Sequence, residues 1–140
     1  MVVLDTDHMS LLDRGGEQGA RLRSRLSGLP SDQVATTIIS FEEQMRGWMA
    51  YLARTDRLAE QVEAYRRLLA QLTGYSQINI LGFSEAAAVE YQRLRSSRLR
   101  VGTMDLKIAA IALANGAILL SRNLAHFRRV HVLRVEDWTG

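Results

Sequence analysis

Asp5, Glu43 and Asp105 are the residues of this chain that could do chemistry together. Each sits where an apolar run ends or a helical pattern opens, and so does Asn123, with Ser121 two residues before it. Carboxylates crowded at one point repel, and one must take up a proton unless a cation neutralises them. The chain has no cysteine, and its 3 histidines are not clustered. An oxygen-only donor set suits a hard cation, magnesium or manganese. Such an ion can activate water and stabilise charge on a phosphodiester during in-line displacement, with no protein nucleophile. Taken singly, each residue also has an ordinary role. Ser40 and Glu43 have the spacing of a capping box. Thr103 could cap a helix and leave Asp105 in its first turn, where the dipole favours an anion. Asn123 could cap a turn toward Phe127, and Asp5 could open the turn after its strand.

The elements that must position these residues alternate along the chain. Val2-Val3-Leu4 reads as a buried strand that ends at Asp5. Asp7 could cap a short helix through Leu12, and Gly15, Gly16 and Gly19 punctuate before a helix near residues 20–26. Residues 34–39 are β-branched and read as a second strand, followed by a helix over 41–54 with Glu43 in its first turn. A helix over 57–72 has Leu58, Val62, Tyr65, Leu69 and Leu72 on one face, with core as the default reading of that face and a partner groove as the other. Gly74 is expected to stop it. A third strand over 78–81 precedes a helix capped by Ser84 and running to about 99. Residues 104–114 are apolar nearly all round, the mark of a buried helix that Gly116 ends. A fourth strand over 117–120 and a fifth, at an edge, over 130–135 complete the pattern. Strands alternating with helices imply a parallel sheet covered on both faces. In such sheets, sites form beyond the carboxyl ends of the strands.

Length bounds a single domain over residues 1–140, with an apolar fraction of 47% and a charged fraction of 24%. The absence of cysteine excludes disulfides and thiolate metal sites and fits a reducing cytoplasm. No basic segment precedes an apolar run at the N-terminus, so no secretion signal is expected. Net charge is +3, and Lys107 is the single lysine. Arginine suits bidentate phosphate contact, and Arg46, Arg98, Arg100 and Arg122 flank the acidic positions. As phosphate contacts they would position a nucleic acid without reading its sequence; as surface charge they would only keep the chain soluble. His8 and His126 could instead form a metal-free acid–base pair, or be structural. Trp48, Met45, Met49 and Tyr51 suit either core or a docking peptide, and Trp138 is expected to pack the C-terminus down.

The segments VVLDTDHMSLL, ISFEEQMRG and MDLKIAAIALANGAILLSRNLAHF, with the ending LRVEDW, resemble the motifs of PIN domains, and most closely those of VapC-type toxins. In the family's central segment a glutamate precedes a glycine by four residues, which selects Glu43, before Gly47, over Glu42. The resemblance implies a three-layer α/β fold with a central parallel sheet flanked by helices. It implies a magnesium-dependent endoribonuclease, with manganese as a substitute, that leaves 5′-phosphate and 3′-hydroxyl ends. It also implies a homodimer and a VapB-like antitoxin, joined as a heterotetramer or larger. Carried over by position, Asp5, Glu43 and Asp105 are metal ligands, Asn123 stands where many members have a fourth acid, and Ser121 is a supporting hydroxyl. A neutral Asn123 favours one tightly held ion over two. Asp7 replaces a more usual asparagine, as a helix cap or as an added ligand. The same residues would serve a housekeeping RNA-processing nuclease. A non-catalytic binding module and a deoxyribonuclease are further readings, since nothing in the sequence marks a contact to a ribose 2′-hydroxyl.

Overall fold

A computed structural model describes all residues, Met1–Gly140. Five parallel strands, β1 (Val2–Leu4), β2 (Val34–Thr37), β3 (Asn79–Leu81), β4 (Ile118–Leu120) and β5 (Val135–Glu136), form one sheet in the order β3-β2-β1-β4-β5. The helices are α1 (Thr6–Arg14), α2 (Gly16–Leu26), α3 (Ile38–Arg54), α4 (Leu58–Ser76), α5 (Glu85–Ser96), α6 (Thr103–Ala114) and α7 (Leu124–Phe127). A 3-10 turn over Ser31–Gln33 leads into β2. The three-layer α/β architecture expected from the sequence is therefore present. No helix is long and apolar enough to cross a membrane.

The pleat of the strands divides the core. Val3, Ala35 and Leu119 face α5 and α6, together with Ala87, Leu94, Ile108 and Ile111. Val2, Leu4 and Leu120 face the other layer, with Met9 and Leu11 of α1, Leu22 of α2 and Tyr75 of α4. Neighbouring residues of one strand thus serve opposite layers, the alternation that a sheet covered on both sides requires. Each fully buried leucine or isoleucine here contributes about 1.5–3 kcal/mol. Helix α6 buries Leu106 and all of Ile108 to Ala112, as its unbroken apolar pattern requires.

Several boundaries differ from the sequence reading, each for a local reason. Strand β2 stops at Thr37, whose hydroxyl accepts a hydrogen bond from Ser40 N (3.0 Å), so α3 starts at Ile38 and not near 41. The Ser40–Glu43 capping box therefore does not form, and Glu43 lies in the second turn. Helix α2 begins at Gly16 and runs through Gly19. Helix α4 runs through Gly74 to Ser76, since an exposed glycine within a helix weakens it without ending it. Only Val135–Glu136 pair as the fifth strand, at the sheet edge; Val130 to Leu133 instead turn under α7. The default reading of α4 is overturned: Leu58, Val62, Tyr65, Leu69 and Leu72 are 51–76% exposed. The helix instead buries Ala64, Gln71 and Tyr75, with Gln71 accepting a hydrogen bond from Trp48 Nε1 at 2.7 Å. A stripe of small and polar residues packs inward here, and the apolar stripe is left outside.

Candidate active site

Because every strand is parallel, Asp5, Thr37 and Ser121 all arrive at one edge, the carboxyl end of the sheet. Asp5 is 7% exposed, and its N–H donates to Leu120 O (3.0 Å), tying it to the end of β4. Its Oδ1 accepts from His8 N at 2.8 Å, which makes Asp5 the N-cap of α1. The cap expected of Asp7 is thereby corrected. Asp7 lies inside the first turn, where its carboxylate meets Arg122 in a two-pronged pair, Nε–Oδ2 2.6 Å and Nη2–Oδ1 3.0 Å.

The early start of α3 lets Glu43 reach back to α1. Thr6 Oγ1 donates to Glu43 Oε1 at 2.6 Å. One residue on, Gln44 Nε2 donates to Ser10 Oγ (2.7 Å) and Thr6 O (3.3 Å), clipping α3 to α1. Asp105 lies in the first turn of α6, as expected, although Gly102 rather than Thr103 is the N-cap. His126 Nε2 lies 3.0 Å from Asp105 Oδ2.

Electrostatics join the acids. The Glu43 carboxyl is pushed above its ordinary 4.5, first by burial and then by the negative charges of Asp105, Asp5 and Glu42, against the Thr6 hydrogen bond. No three histidine, aspartate or glutamate side chains stand grouped closely enough to hold a metal ion in this arrangement. Each acid nevertheless has one oxygen held by a neighbour: Asp5 Oδ1 by His8 N, Glu43 Oε1 by Thr6, and Asp105 Oδ2 by His126. The second oxygen of each is unclaimed. A donor set of carboxylate oxygens with hydrogen-bonded supports fits a hard divalent cation.

Ser121 is fully buried and structural: its Oγ accepts from Asn123 N (2.9 Å), and its own N–H donates to Glu136 O (2.9 Å). Asn123 is exposed at the N-terminus of α7, but its side chain makes no capping hydrogen bond there. His8 and His126 do not form a pair. His8 is wholly buried beside Asp5, whereas His126 is half-buried beside Asp105.

The arginines separate into two groups. Arg122 is engaged by Asp7 and by Gln18 Oε1 (3.1 Å), and Arg46 pairs with Glu42 (2.5 Å). Arg98 and Arg100 are exposed and form no ion pair, and two neighbours missed in the sequence, Arg128 and Arg129, share that state. Arg129 Nη1 donates to Arg100 O (2.6 Å), so the segment with Arg98 and Arg100, which leads into α6, lies beside the segment with Arg128 and Arg129 at the end of α7. Arg98 has φ +54°, a left-handed conformation that costs a non-glycine residue about 1–2 kcal/mol. The signal for Arg128 and Arg129 was their position just after His126-Phe127. Lys107 lies over the rings of Phe83 and Tyr91, 5.8 Å from each. A separate cleft of about 580 Å³ lies between α1, α2 and α4, lined by Met9, Leu12, Leu26, Leu29, Tyr75 and Ile78.

The PIN domain family model matches residues 2–133. Over 86 residues the chain is 36% identical to the tRNA(fMet)-specific endonuclease VapC of Shigella flexneri, covering 58% of this chain. That match spans 65% of the relative, just under two thirds of its length. The fold is that of VapBC-1 from nontypeable Haemophilus influenzae, with a TM-score of 0.79 at 24% identity over the whole of both chains. It also matches VapBC-5 from Mycobacterium tuberculosis, a member of the VapBC family of toxin–antitoxin systems, with a TM-score of 0.65 at 26% identity over 99% of this chain and 97% of that one. With the family model matched over nearly its full length, this chain belongs to the PIN-domain family.

Proposed function

We propose that this chain is a divalent-metal-dependent endoribonuclease and the toxin of a toxin–antitoxin pair. The observation that carries the reading is that Asp5 beyond β1, Glu43 hydrogen-bonded to the adjacent Thr6, and Asp105 in the first turn of α6 come from distant parts of the chain to lie near enough for both aspartates to raise the Glu43 carboxyl. Their unclaimed oxygens would hold Mg²⁺, or Mn²⁺ in its place. The bound cation would supply Lewis-acid activation of water and neutralise charge on the scissile phosphate. The Thr6 hydroxyl, the His8 backbone N–H and the His126 ring fix the orientation of the acids. The oxygen of water joins phosphorus, the bond to the 3′-oxygen breaks, and that oxygen takes up a proton. The ends are then a 5′-phosphate and a 3′-hydroxyl. Arg98, Arg100, Arg128 and Arg129, free of ion pairs, suit the RNA backbone, whereas Arg122 is held by Asp7 and Arg46 by Glu42.

The outward apolar stripe of α4 supports a protein partner. Leu58, Val62, Tyr65, Leu69 and Leu72 form a helical face that water solvates poorly. A VapB-like antitoxin with an amphipathic segment fits such a face, within a homodimer-based heterotetramer or larger assembly. The similarity to VapC of Shigella flexneri and to the VapBC-5 toxin–antitoxin system supports this reading.

The test is to induce the chain alone in a bacterial host beside Asp105→Asn and to map new 5′-phosphate RNA ends. Growth arrest with discrete ends from the wild type only is the expected result. Equal arrest by both proteins removes the acidic site from the account. Folded proteins that neither arrest growth nor cut RNA would favour a housekeeping nuclease or a binding module.

A further inference from the structure

His8 is 0% exposed, yet neither ring nitrogen has a hydrogen-bond partner within normal reach. Nδ1 faces Asp5 Oδ1 at 3.5 Å, and Nε2 faces Asp137 Oδ1 at 3.9 Å. The imidazole thus lies between two carboxylates, one a candidate metal ligand and the other near the end of the chain. Its chain neighbours Met9 and Leu11, and Leu4 of β1, belong to the core layer on that side of the sheet. A buried polar group without close partners costs about 1–3 kcal/mol, whereas an apolar side chain of similar volume costs nothing of the kind. Packing alone would favour leucine at this position.

The Asp137 side is built with care. Its Oδ1 accepts from Thr139 N (2.9 Å) and from Thr139 Oγ1 (2.6 Å), closing a tight local turn. That turn is held against α2: Arg21 Nε donates to Thr139 O (2.7 Å), and the Arg25 guanidinium lies 4.5 Å over the Trp138 ring. Upstream, Ser121 N donates to Glu136 O, fixing the segment to β4. The carboxylate facing His8 is therefore carried on a fixed arm. Carboxylates that hold metals are commonly oriented by such outer partners, whose loss weakens metal binding about 10–100-fold.

We infer that Asp137 is a positioning residue of the acidic site, acting through the imidazole of His8 to hold Asp5 Oδ1 and so aim Asp5 Oδ2 at the cation. The inference rests on the metal-dependent reading above. It gives the C-terminal arm a task in metal binding, beyond packing the terminus down.

The test is calorimetric titration of Mn²⁺ into the full chain, with thermal melting in parallel, for the wild type, His8→Leu, Asp137→Asn and the double variant. The expected result is about tenfold weaker Mn²⁺ binding in each single variant. His8→Leu should melt at or above the wild-type temperature, a combination that a merely structural histidine would not give. The double variant should bind no more weakly than the worse single one, because both changes break one relay. If His8→Leu fails to fold, Asp137→Asn decides alone, since that side chain is 30% exposed and its loss leaves the core intact. Wild-type affinity in Asp137→Asn overturns the inference, as do additive losses in the double variant. If the wild type shows no Mn²⁺ binding that Asp105→Asn abolishes, this inference and the metal-dependent reading fall together.

Discussion

Gly19 is where the placement of the acidic site can be tested through packing alone. It lies inside α2, and a Cβ added there would come within 2.5 Å of Leu11 O on α1. Real Cβ contacts essentially never fall below 3.0 Å, so the two helix backbones must part by at least 0.5 Å (3.0 minus 2.5). A backbone cannot swing aside as a side-chain tip can, and overpacking of this kind costs about 1–3 kcal/mol. Against that, alanine is better than glycine within a helix by about 0.5–1 kcal/mol. The difference leaves Gly19→Ala destabilised by up to about 2.5 kcal/mol with a midpoint of about 1, or ~3–4 °C in Tm at that midpoint for a chain of this size. Gly74, within α4, provides the matched control. Nothing lies within 4 Å of its added Cβ, so Gly74→Ala should gain the propensity term alone, about 0.5–1 kcal/mol. The assay is thermal melting in the absence of metal, followed by Mn²⁺ titration. Since α1 opens with Asp5 and Thr6, parting α1 from α2 should weaken Mn²⁺ binding in Gly19→Ala and leave Gly74→Ala unchanged. Equal stabilisation of both variants would refute the claim that α2 fixes α1 by close backbone contact.

The remaining expectations concern charge and surface. Glu43→Gln should raise metal-free stability at neutral pH by no more than about 1 kcal/mol, after allowance for solvent screening of a half-buried group. The sign follows from the raised carboxyl: ionised Glu43 is disfavoured in the fold, so the wild type loses stability as pH rises from 4.5 through the raised value. The gain should therefore be absent below pH 4.5, and melting curves that show it persisting there would contradict the cause given. In an Asp105→Asn background, replacing Arg98, Arg100, Arg128 and Arg129 with glutamine should flatten the salt dependence of single-stranded RNA binding by up to ~0.7 for each phosphate no longer neutralised. An unchanged slope would remove these arginines from the RNA path. Leu69→Glu should leave the free chain's stability within about 0.5 kcal/mol yet weaken antitoxin capture at least tenfold in a pull-down titration, while an unchanged affinity would send the partner elsewhere.

The parallel sheet and the three acids were legible in the sequence because both leave periodic or positional marks. Val2-Val3-Leu4 and the all-apolar run of α6 can satisfy burial in few other ways. The start of α3 was misplaced because Thr37 and Ser40 are both competent caps, and only the register of β2 against β1 decides between them. The face of α4 was misread for a different reason. Helical periodicity reveals that an apolar stripe exists but not whether this chain or another covers it. Asp7 and Arg122 are separated by 115 positions, so their pairing left no local trace. The same holds for His8 and Asp137, whose relation depends on where the last turn of the chain comes to rest.

The strand order also sets when this site can exist as the chain folds. Strand β1 lies between β2 and β4, and Asp105 and β4 come a hundred positions or more after Asp5. Asp5 waits for α6 to deliver Asp105 and for β4 to close its side of the sheet. Until those segments have packed, the acids are separate charges. The candidate site is therefore a property of the packed sheet as a whole, and loosening either neighbour of β1 would scatter its acids.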